Sequence, residues 1–462
     1  TTEPPPRPGL RFRHRPDPMI TLDKTLAATL AACAILNTAC TLGPDYQRPA
    51  IDVPAAYKET SAVVAPEARD ALPAGNWWAL YGDEQLDQLI GQIETRNYSL
   101  QVIEARARQA RSLAEMAEAA RYPTLVAGGT NDLGLVANWE IDLWGRIRRD
   151  IEASGAAAQA STADLAATKL SLQAQLAQNY FLLRVRDTEL SLLEESIAAQ
   201  ERSLQIAQNQ YAAGVVDRAV VAQAQTQRGT TQVQMHDARA ARAQLEHAIA
   251  VLVGKAPADF SIAVAPLNAH VPEVPSELPA ELLQRRPDIA AAERRVAAAS
   301  AKIGVAEAEF YPSLDLFGGV SIRKGLLGGA KVVAPLFVGN AAQIGRSRAA
   351  AAYEEAVANY RQTVLEGFRE VEDTLVALQH LDQAAMAQDT AAAAASKTAT
   401  ITQNQYQAGL VSHPSVLSAQ AAAVANQRAA LNLLGRRLVS SATLIKALGG
   451  GWEPAATTRQ KE

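Results

Sequence analysis

The sequence is poor in the features around which most catalytic domains are built. It has two cysteines in 462 residues, and both, Cys33 and Cys40, lie in or at the end of one apolar run near its beginning. Once that run is removed, no disulfide can form within the chain. Aromatic residues make up only 5% of the chain and charged residues 20%. Few aromatics with abundant alanine argue against a compact aromatic-rich core and for helices packed closely over long distances. The apolar run at 26–36, about eleven residues, falls far short of a membrane-spanning helix. A net charge of -4 argues against a nucleic-acid partner.

Catalytic and cofactor signatures are also missing. The histidines, His14, His236, His247, His270, His380 and His413, have no metal-ligand spacing and read as solvated helix or loop residues. Residues 325–332, GLLGGAKV, resemble a phosphate loop but lack its Gly-Lys-Ser/Thr ending, and read as a hairpin turn. No Gly-x-Ser-x-Gly elbow occurs. The expectation is a protein that is not an enzyme, with no catalytic residue, no metal site and no cofactor.

Residues 1–18 are rich in Pro and Arg and precede Met19. They read as an upstream extension to an export signal, in which Lys24 precedes the apolar run. Residues 1–39 are thus assigned as extension and lipoprotein signal peptide. Leu30-Ala31-Ala32-Cys33 is the better match to a lipoprotein cleavage box, and Asn37 is an unusual residue ahead of Cys40. Cleavage before Cys33 would truncate the apolar run, which favours Cys40 as the lipidated residue. The competing reading makes both cysteines ordinary small residues of a signal cleaved elsewhere.

Residues 40–76 are Pro-rich and aperiodic, and read as an extended tether. Two repeats follow, at 77–270 and 271–450, and then a tail at 451–462. Asn209-Gln210-Tyr211-Ala212-Ala213-Gly214 recurs as Asn404-Gln405-Tyr406-Gln407-Ala408-Gly409, an offset of 404 - 209 = 195. Tyr122-Pro123 recurs as Tyr311-Pro312, an offset of 311 - 122 = 189. Each repeat predicts a helix ending at Tyr-Pro, a strand pair, a very long helix, a Gly turn and a return helix. The long helices, at 146–213 and 341–408, would each reach roughly 100 Å. The return helices fall at 218–253 and 415–448, with Pro414 helping to start the second. Gly214 and Gly409 suit the left-handed residue that ends a helix.

Residues 133–143 place apolar side chains at every odd position, a period of two that asks for lipid on one face and water on the other. Leu314, Leu316, Val320 and Ile322 alternate similarly, and partner strands are expected at 124–130 and 330–337. Half-buried strands of soluble sheets show the same alternation, but not beside an export signal and such long helices. Four strands cannot close a membrane barrel. A homotrimer would supply twelve, three copies of four.

At these residues the chain resembles the TolC-like outer-membrane factor family, in its lipoprotein branch. The resemblance runs from Cys40 to Leu448. It is carried by Cys40-Thr41-Leu42-Gly43-Pro44-Asp45-Tyr46-Gln47-Arg48-Pro49, by Trp77-Trp78-Ala79-Leu80-Tyr81, by Trp139-Glu140-Ile141-Asp142-Leu143-Trp144-Gly145-Arg146, and by Leu282-Leu283-Gln284-Arg285-Arg286-Pro287-Asp288-Ile289. It implies a mainly α protein with a small β part. Two repeats of helical hairpin plus β-hairpin would trimerise into a twelve-stranded outer-membrane barrel continuous with a periplasmic helical barrel. It further implies a lipid-anchored outer-membrane efflux channel with a large periplasmic part, docking onto a periplasmic adaptor (membrane fusion protein) and an inner-membrane pump. The adaptor-docking tips carried over are Ala213, Gly214 and Val215, and Ala408, Gly409 and Leu410.

Two features depart from the family pattern. The loops within the strand pairs, at 130–132 and 323–328, are short, and the strand at 124–130 is below the nine to eleven residues of a membrane strand. The acidic residues usual after the second tip are replaced by Ser412-His413-Pro414-Ser415. Asp217 is left as the gate candidate, against a plain role as helix cap. Glu370, Glu372 and Asp373 could face a lumen or the outer solvent. The alternative reading of the whole chain is a lipid-anchored periplasmic coiled-coil scaffold or adaptor, which leaves the strand pairs unexplained.

Overall fold

A computed structural model describes residues 1–2, 41–58, 75–128, 134–272, 279–321, 325–334 and 340–453. The element order repeats. The first half runs α1 (Glu84–Arg96), α2 (Tyr98–Ala119), β1 (Thr124–Gly128), β2 (Gly134–Ile141), α3 (Arg146–Ala212) and α4 (Arg218–Leu252). The second runs α5 (Pro279–Arg285), α6 (Pro287–Ala308), β3 (Ser313–Ser321), β4 (Gly325–Val333), α7 (Ala341–Gln407) and α8 (His413–Ala447). The long helices α3 and α7 have 67 residues each, and the return helices α4 and α8 have 35 each. Each ends or starts within two residues of its expected position. No described helix is long and apolar enough to cross a membrane.

The chain forms two compact units. The larger takes residues 47–115, 154–299 and 352–462. Its core gathers Trp77, Tyr81, Leu86, Ile90, Ile93, Leu176, Tyr180 and Phe181, all nearly inaccessible to solvent. Asp83 starts α1 by accepting from the backbone N–H of Gln85 and Leu86, both at 3.0 Å. The same carboxylate accepts the Tyr180 hydroxyl at 2.7 Å. The Tyr81 hydroxyl and Ser441 lie 2.8 Å apart, which fastens the start of the unit to α8.

The return helices dock by one device used twice. Gly254 follows α4 at φ +68, and a Cβ there would lie 2.2 Å from the Arg96 carbonyl oxygen. Gly449 follows α8 at φ +95, and a Cβ there would lie 2.1 Å from the Arg285 carbonyl oxygen. Only glycine satisfies both the left-handed backbone and the close approach.

The smaller unit takes residues 1–46, 116–153 and 300–351 and carries one antiparallel sheet in the order β1-β2-β3-β4. β4 differs from expectation. The sequence places a turn at 323–328 and a strand at 330–337, whereas Ser321 pairs with Gly325 and the strand begins there. The glycines of the supposed turn are strand residues: Gly329 faces Phe317, and a Cβ on it would press to 3.0 Å of the Phe317 ring. Residues 129–133, which include the short loop at 130–132, and 322–324, the start of the one expected at 323–328, lie outside the described residues.

Residues 41–58, expected as a tether, have no regular secondary structure but are fastened to the body. In the larger unit Arg48 Nε donates to the Tyr360 hydroxyl at 3.0 Å, and the Lys58 backbone N–H donates to Glu372 at 2.8 Å. Glu370, on the same helix as Glu372, pairs with Arg286 at 2.9 Å, so it is a structural partner of the Arg286-Pro287-Asp288 motif.

Candidate functional site

Strand register decides what each face of the sheet carries. Residues paired across an antiparallel ladder point to the same side. One face therefore holds Leu125 and Ala127, then Leu135, Ala137, Trp139 and Ile141, then Leu314, Leu316, Gly318 and Val320, then Leu326, Gly328, Ala330 and Val332. It contains no polar side chain. The opposite face holds Thr124, Asn138, Glu140, Ser313, Asp315, Ser321 and Lys331 among apolar residues and glycines. Leu326 is 84% exposed, Leu125 69% and Val332 65%, so no second layer of the chain covers the apolar face. Among the described residues, β1 and β4 each leave one edge unpaired.

The sheet joins the long helix through the Trp139–Arg146 motif. Asp142 accepts from the backbone N–H of Ile147 at 3.1 Å and of Arg148 at 3.0 Å, capping α3. Glu140 takes a two-pronged bond from Arg146 at 3.0 and 2.7 Å. The Trp139 indole donates to the Arg121 carbonyl at 2.9 Å, and that of Trp144 to the Pro312 carbonyl at 2.8 Å. Trp144 packs on Tyr311 with ring centroids 4.7 Å apart. The motif is thus the hinge at which a strand becomes a helix.

Both tips close as expected. Val215 N–H donates to the Gln210 carbonyl at 2.8 Å, and Leu410 N–H to that of Gln405 at 2.9 Å, with Gly214 and Gly409 at φ +72 and +74. Ala213, Gly214, Val215, Ala408, Gly409 and Leu410 are all exposed, Val215 by 69% and Leu410 by 74%. A Cβ on either glycine would meet nothing within 4 Å, so the backbone angle alone demands glycine there. Asp217 occupies the N-cap position of α4 and is exposed, but its side chain makes no capping bond. Cys33 and Cys40 lie outside the described residues, as does His14.

His413 departs from the solvated role its sequence context suggests. It is 4% exposed, its Nε2 lies 2.7 Å from the Ser203 hydroxyl of α3, and its ring meets Tyr406 of α7 at 5.3 Å. Tyr406 in turn donates to Gln210 at 3.0 Å. These contacts join the two hairpins just behind their tips. His236, His247, His270 and His380 are exposed, in agreement with expectation.

Burial holds His413 below the usual imidazole range. The unfolded chain then takes up the proton first as pH falls. The contribution of neutral His413 is complete above about pH 6.5 and is lost as pH drops through its lower folded-state value. Thermal melts in detergent should weaken below that pH, and His413→Gln should flatten the acid limb; an unchanged acid limb would remove His413 from this role.

A second cluster escaped sequence reading altogether. Asp187 is inaccessible and pairs with Arg184 at 2.7 Å and Arg242 at 2.6 Å. Arg184 also reaches the Ala263 carbonyl at 2.8 Å, and Arg242 the Ile262 carbonyl at 2.6 Å. Ala265 N–H donates to Asp187 at 3.2 Å. The cluster binds the segment after α4 to both long elements of the first hairpin. Among the described residues, no three His, Cys, Asp or Glu side chains converge on a metal-sized site.

An exposed apolar sheet face with two open edges among the described residues, in one chain with two hairpins of very long helices, defines a subunit of a membrane channel. The chain belongs to the outer membrane efflux protein family, whose pattern it matches over residues 89–255 and 278–450. It is similar to the cation efflux system protein CusC of Escherichia coli O6:H1, at 28% identity over 91% of this chain and 97% of that protein. It is similar to SilC of Salmonella typhimurium, described as a probable outer membrane lipoprotein, at 27% identity over 92% of this chain and 98% of that protein. The solved outer-membrane channel OprN superposes with a TM-score of 0.82 at 27% identity, over 89% of this chain and all of OprN. The channel reading is supported over the periplasmic scaffold.

Proposed function

We propose that three copies of this chain form a passive outer-membrane duct, anchored by lipid on Cys40, through which small toxic molecules or metal ions leave the cell. The carrying observation is the exposed, wholly apolar sheet face. Unpaired strand edges are untenable in lipid, and three copies of four strands give the even number of a closed barrel. The tips at Ala213-Gly214-Val215 and Ala408-Gly409-Leu410 dock a periplasmic adaptor, which connects to a proton-driven inner-membrane pump. Substrate choice belongs to the pump, since a wide aqueous passage imposes little chemistry. Export on a non-lipoprotein signal followed by carbonate extraction tests the barrel: a spanning barrel stays in the membrane pellet, and a scaffold is released.

Exchange of Gly214 and Gly409 for Phe should abolish adaptor co-purification and leave the trimer intact. The added side chains meet open space, and the left-handed strain of about 1–2 kcal/mol stays at each tip. Trimer loss would instead assign the glycines to folding. Three copies of Asp217 form a carboxylate ring at the duct entrance. Asp217→Ala should therefore lower single-channel cation conductance and relieve divalent block, and unchanged values would return Asp217 to a solvated helix end.

A further inference from the structure

The chain directly after Cys40 enters a socket built within the sheet-bearing unit. Gly43 sits at φ +88, and a Cβ on it would stand 2.4 Å from the Gly304 Cα. A Cβ on Gly304 would meet the Leu42 carbonyl oxygen at 2.7 Å and Arg149 Cγ at 2.9 Å. Thr41 crosses Gly145 so closely that a Cβ there would fall 2.8 Å from Thr41 Cγ2. Three glycines thus clear a path that no side chain could share.

Arg149 closes over this path with its side chain only 6% exposed. Its Nε donates to the Leu42 carbonyl at 3.0 Å. Its Nη2 reaches the Gly43 carbonyl at 3.2 Å and Asp45 at 2.9 Å, and its Nη1 holds Glu152 at 2.8 Å. Leu42 N–H donates to the Trp144 carbonyl at 3.2 Å. A free tether requires none of these contacts.

The socket lies at the strand-to-helix corner, where Trp144 packs on Tyr311. Tyr122, Trp139, Phe310 and Tyr311 are all more than 40% exposed or at that value there. Exposed amphipathic aromatics at strand ends mark the level of lipid headgroups.

We propose that this socket docks the lipid anchor: it fixes residues 41–45 so that acyl chains on Cys40 enter the membrane beside the sheet, with Arg149 and Gly304 as positioning residues for barrel insertion. The inference rests on the reading of Cys40 as the lipidated residue. Cys40 is one peptide, about 3.8 Å, from the clamped Thr41, whereas an acyl group on Cys33 would have up to roughly 25 Å of further slack.

The test uses the full chain in outer-membrane fractions, with labelled palmitate and the yield of heat-resistant trimer as readouts. A four-residue Gly-Ser spacer between Cys40 and Thr41 leaves every socket contact intact. It should keep the palmitate label yet lower trimer yield about tenfold, as should Arg149→Ala and Gly304→Leu. Lys302→Ala, on the helix that carries Gly304 but outside the socket and 54% exposed, should stay near wild type. Wild-type trimer yield with the spacer overturns the docking. A palmitate label retained in Cys40→Ala and lost in Cys33→Ala overturns the lipidation reading instead, whatever the yield.

Discussion

Asp187→Ala should destabilise the helical body by about 3–5 kcal/mol, the usual cost of removing one partner from a buried ion pair. The carboxylate is inaccessible, and its loss leaves the Arg184 guanidinium, at 3% exposure, without a carboxylate and Arg242, at 13%, with Glu246 alone at 3.3 Å. Neither can turn to solvent without releasing the carbonyls of Ala263 and Ile262 that it also holds. The Ala265 N–H loses its acceptor as well. Asp187→Asn, with the same shape and one acceptor oxygen kept, should lose less. Urea or thermal unfolding of the detergent-solubilised protein measures both. Replacing Asp187, Arg184 and Arg242 together by apolar residues, with Glu246→Gln because Glu246 pairs with Arg242 at 3.3 Å, should recover much of the deficit, since that cluster leaves no unpaired charge. Should Asp187→Ala melt with wild type, the cluster contributes charge balance and little else.

What the sequence makes legible is what local physics dictates. The left-handed residues Gly214 and Gly409 end helices because a side chain there is strained, so the same six-residue pattern marks both tips. The period-two pattern in β2 fixes its faces, and pairing then extends the apolar face across all four strands. What is not legible depends on neighbours distant in sequence. His413 follows an exposed tip within Ser412-His413-Pro414-Ser415, and the approach of Ser203 and Tyr406 on the two long helices buries it. Asp187 and Glu189 look like a solvated helix face until Arg242 and Arg428 arrive from the return helices. Gly328-Gly329 looks like a turn because the ring of Phe317, which occupies the missing side-chain space of Gly329, belongs to another strand. Arg149 looks like one more surface charge, and its acceptors lie more than a hundred residues away. The cap role at Asp217 fails for the opposite reason: the position is right, but its carboxylate makes no bond to the helix it precedes.

Leu316→Arg and Asn138→Arg should differ sharply although they sit on neighbouring strands. Leu316 is near the middle of β3, opposite Trp139 on β2 and Ala330 on β4, within the face that has no polar side chain. An arginine there faces hydrocarbon in the assembled barrel, at a cost of about 2–4 kcal/mol per chain near the bilayer midplane. Three copies in one barrel multiply the penalty, so heat-resistant trimer should vanish from the outer membrane. Asn138 lies on the other face, opposite Thr124 and Phe317, with Glu140 and Asp315 farther along the same side. An arginine there enters water and meets opposite charge, so trimer should persist and only ion selectivity should shift. The comparison holds the level along the sheet, the new side chain and its added charge nearly constant and varies the face. Equal trimer yields for the two variants would mean that the sheet does not meet lipid with this face, and the barrel would have to be abandoned even though the helical body stood.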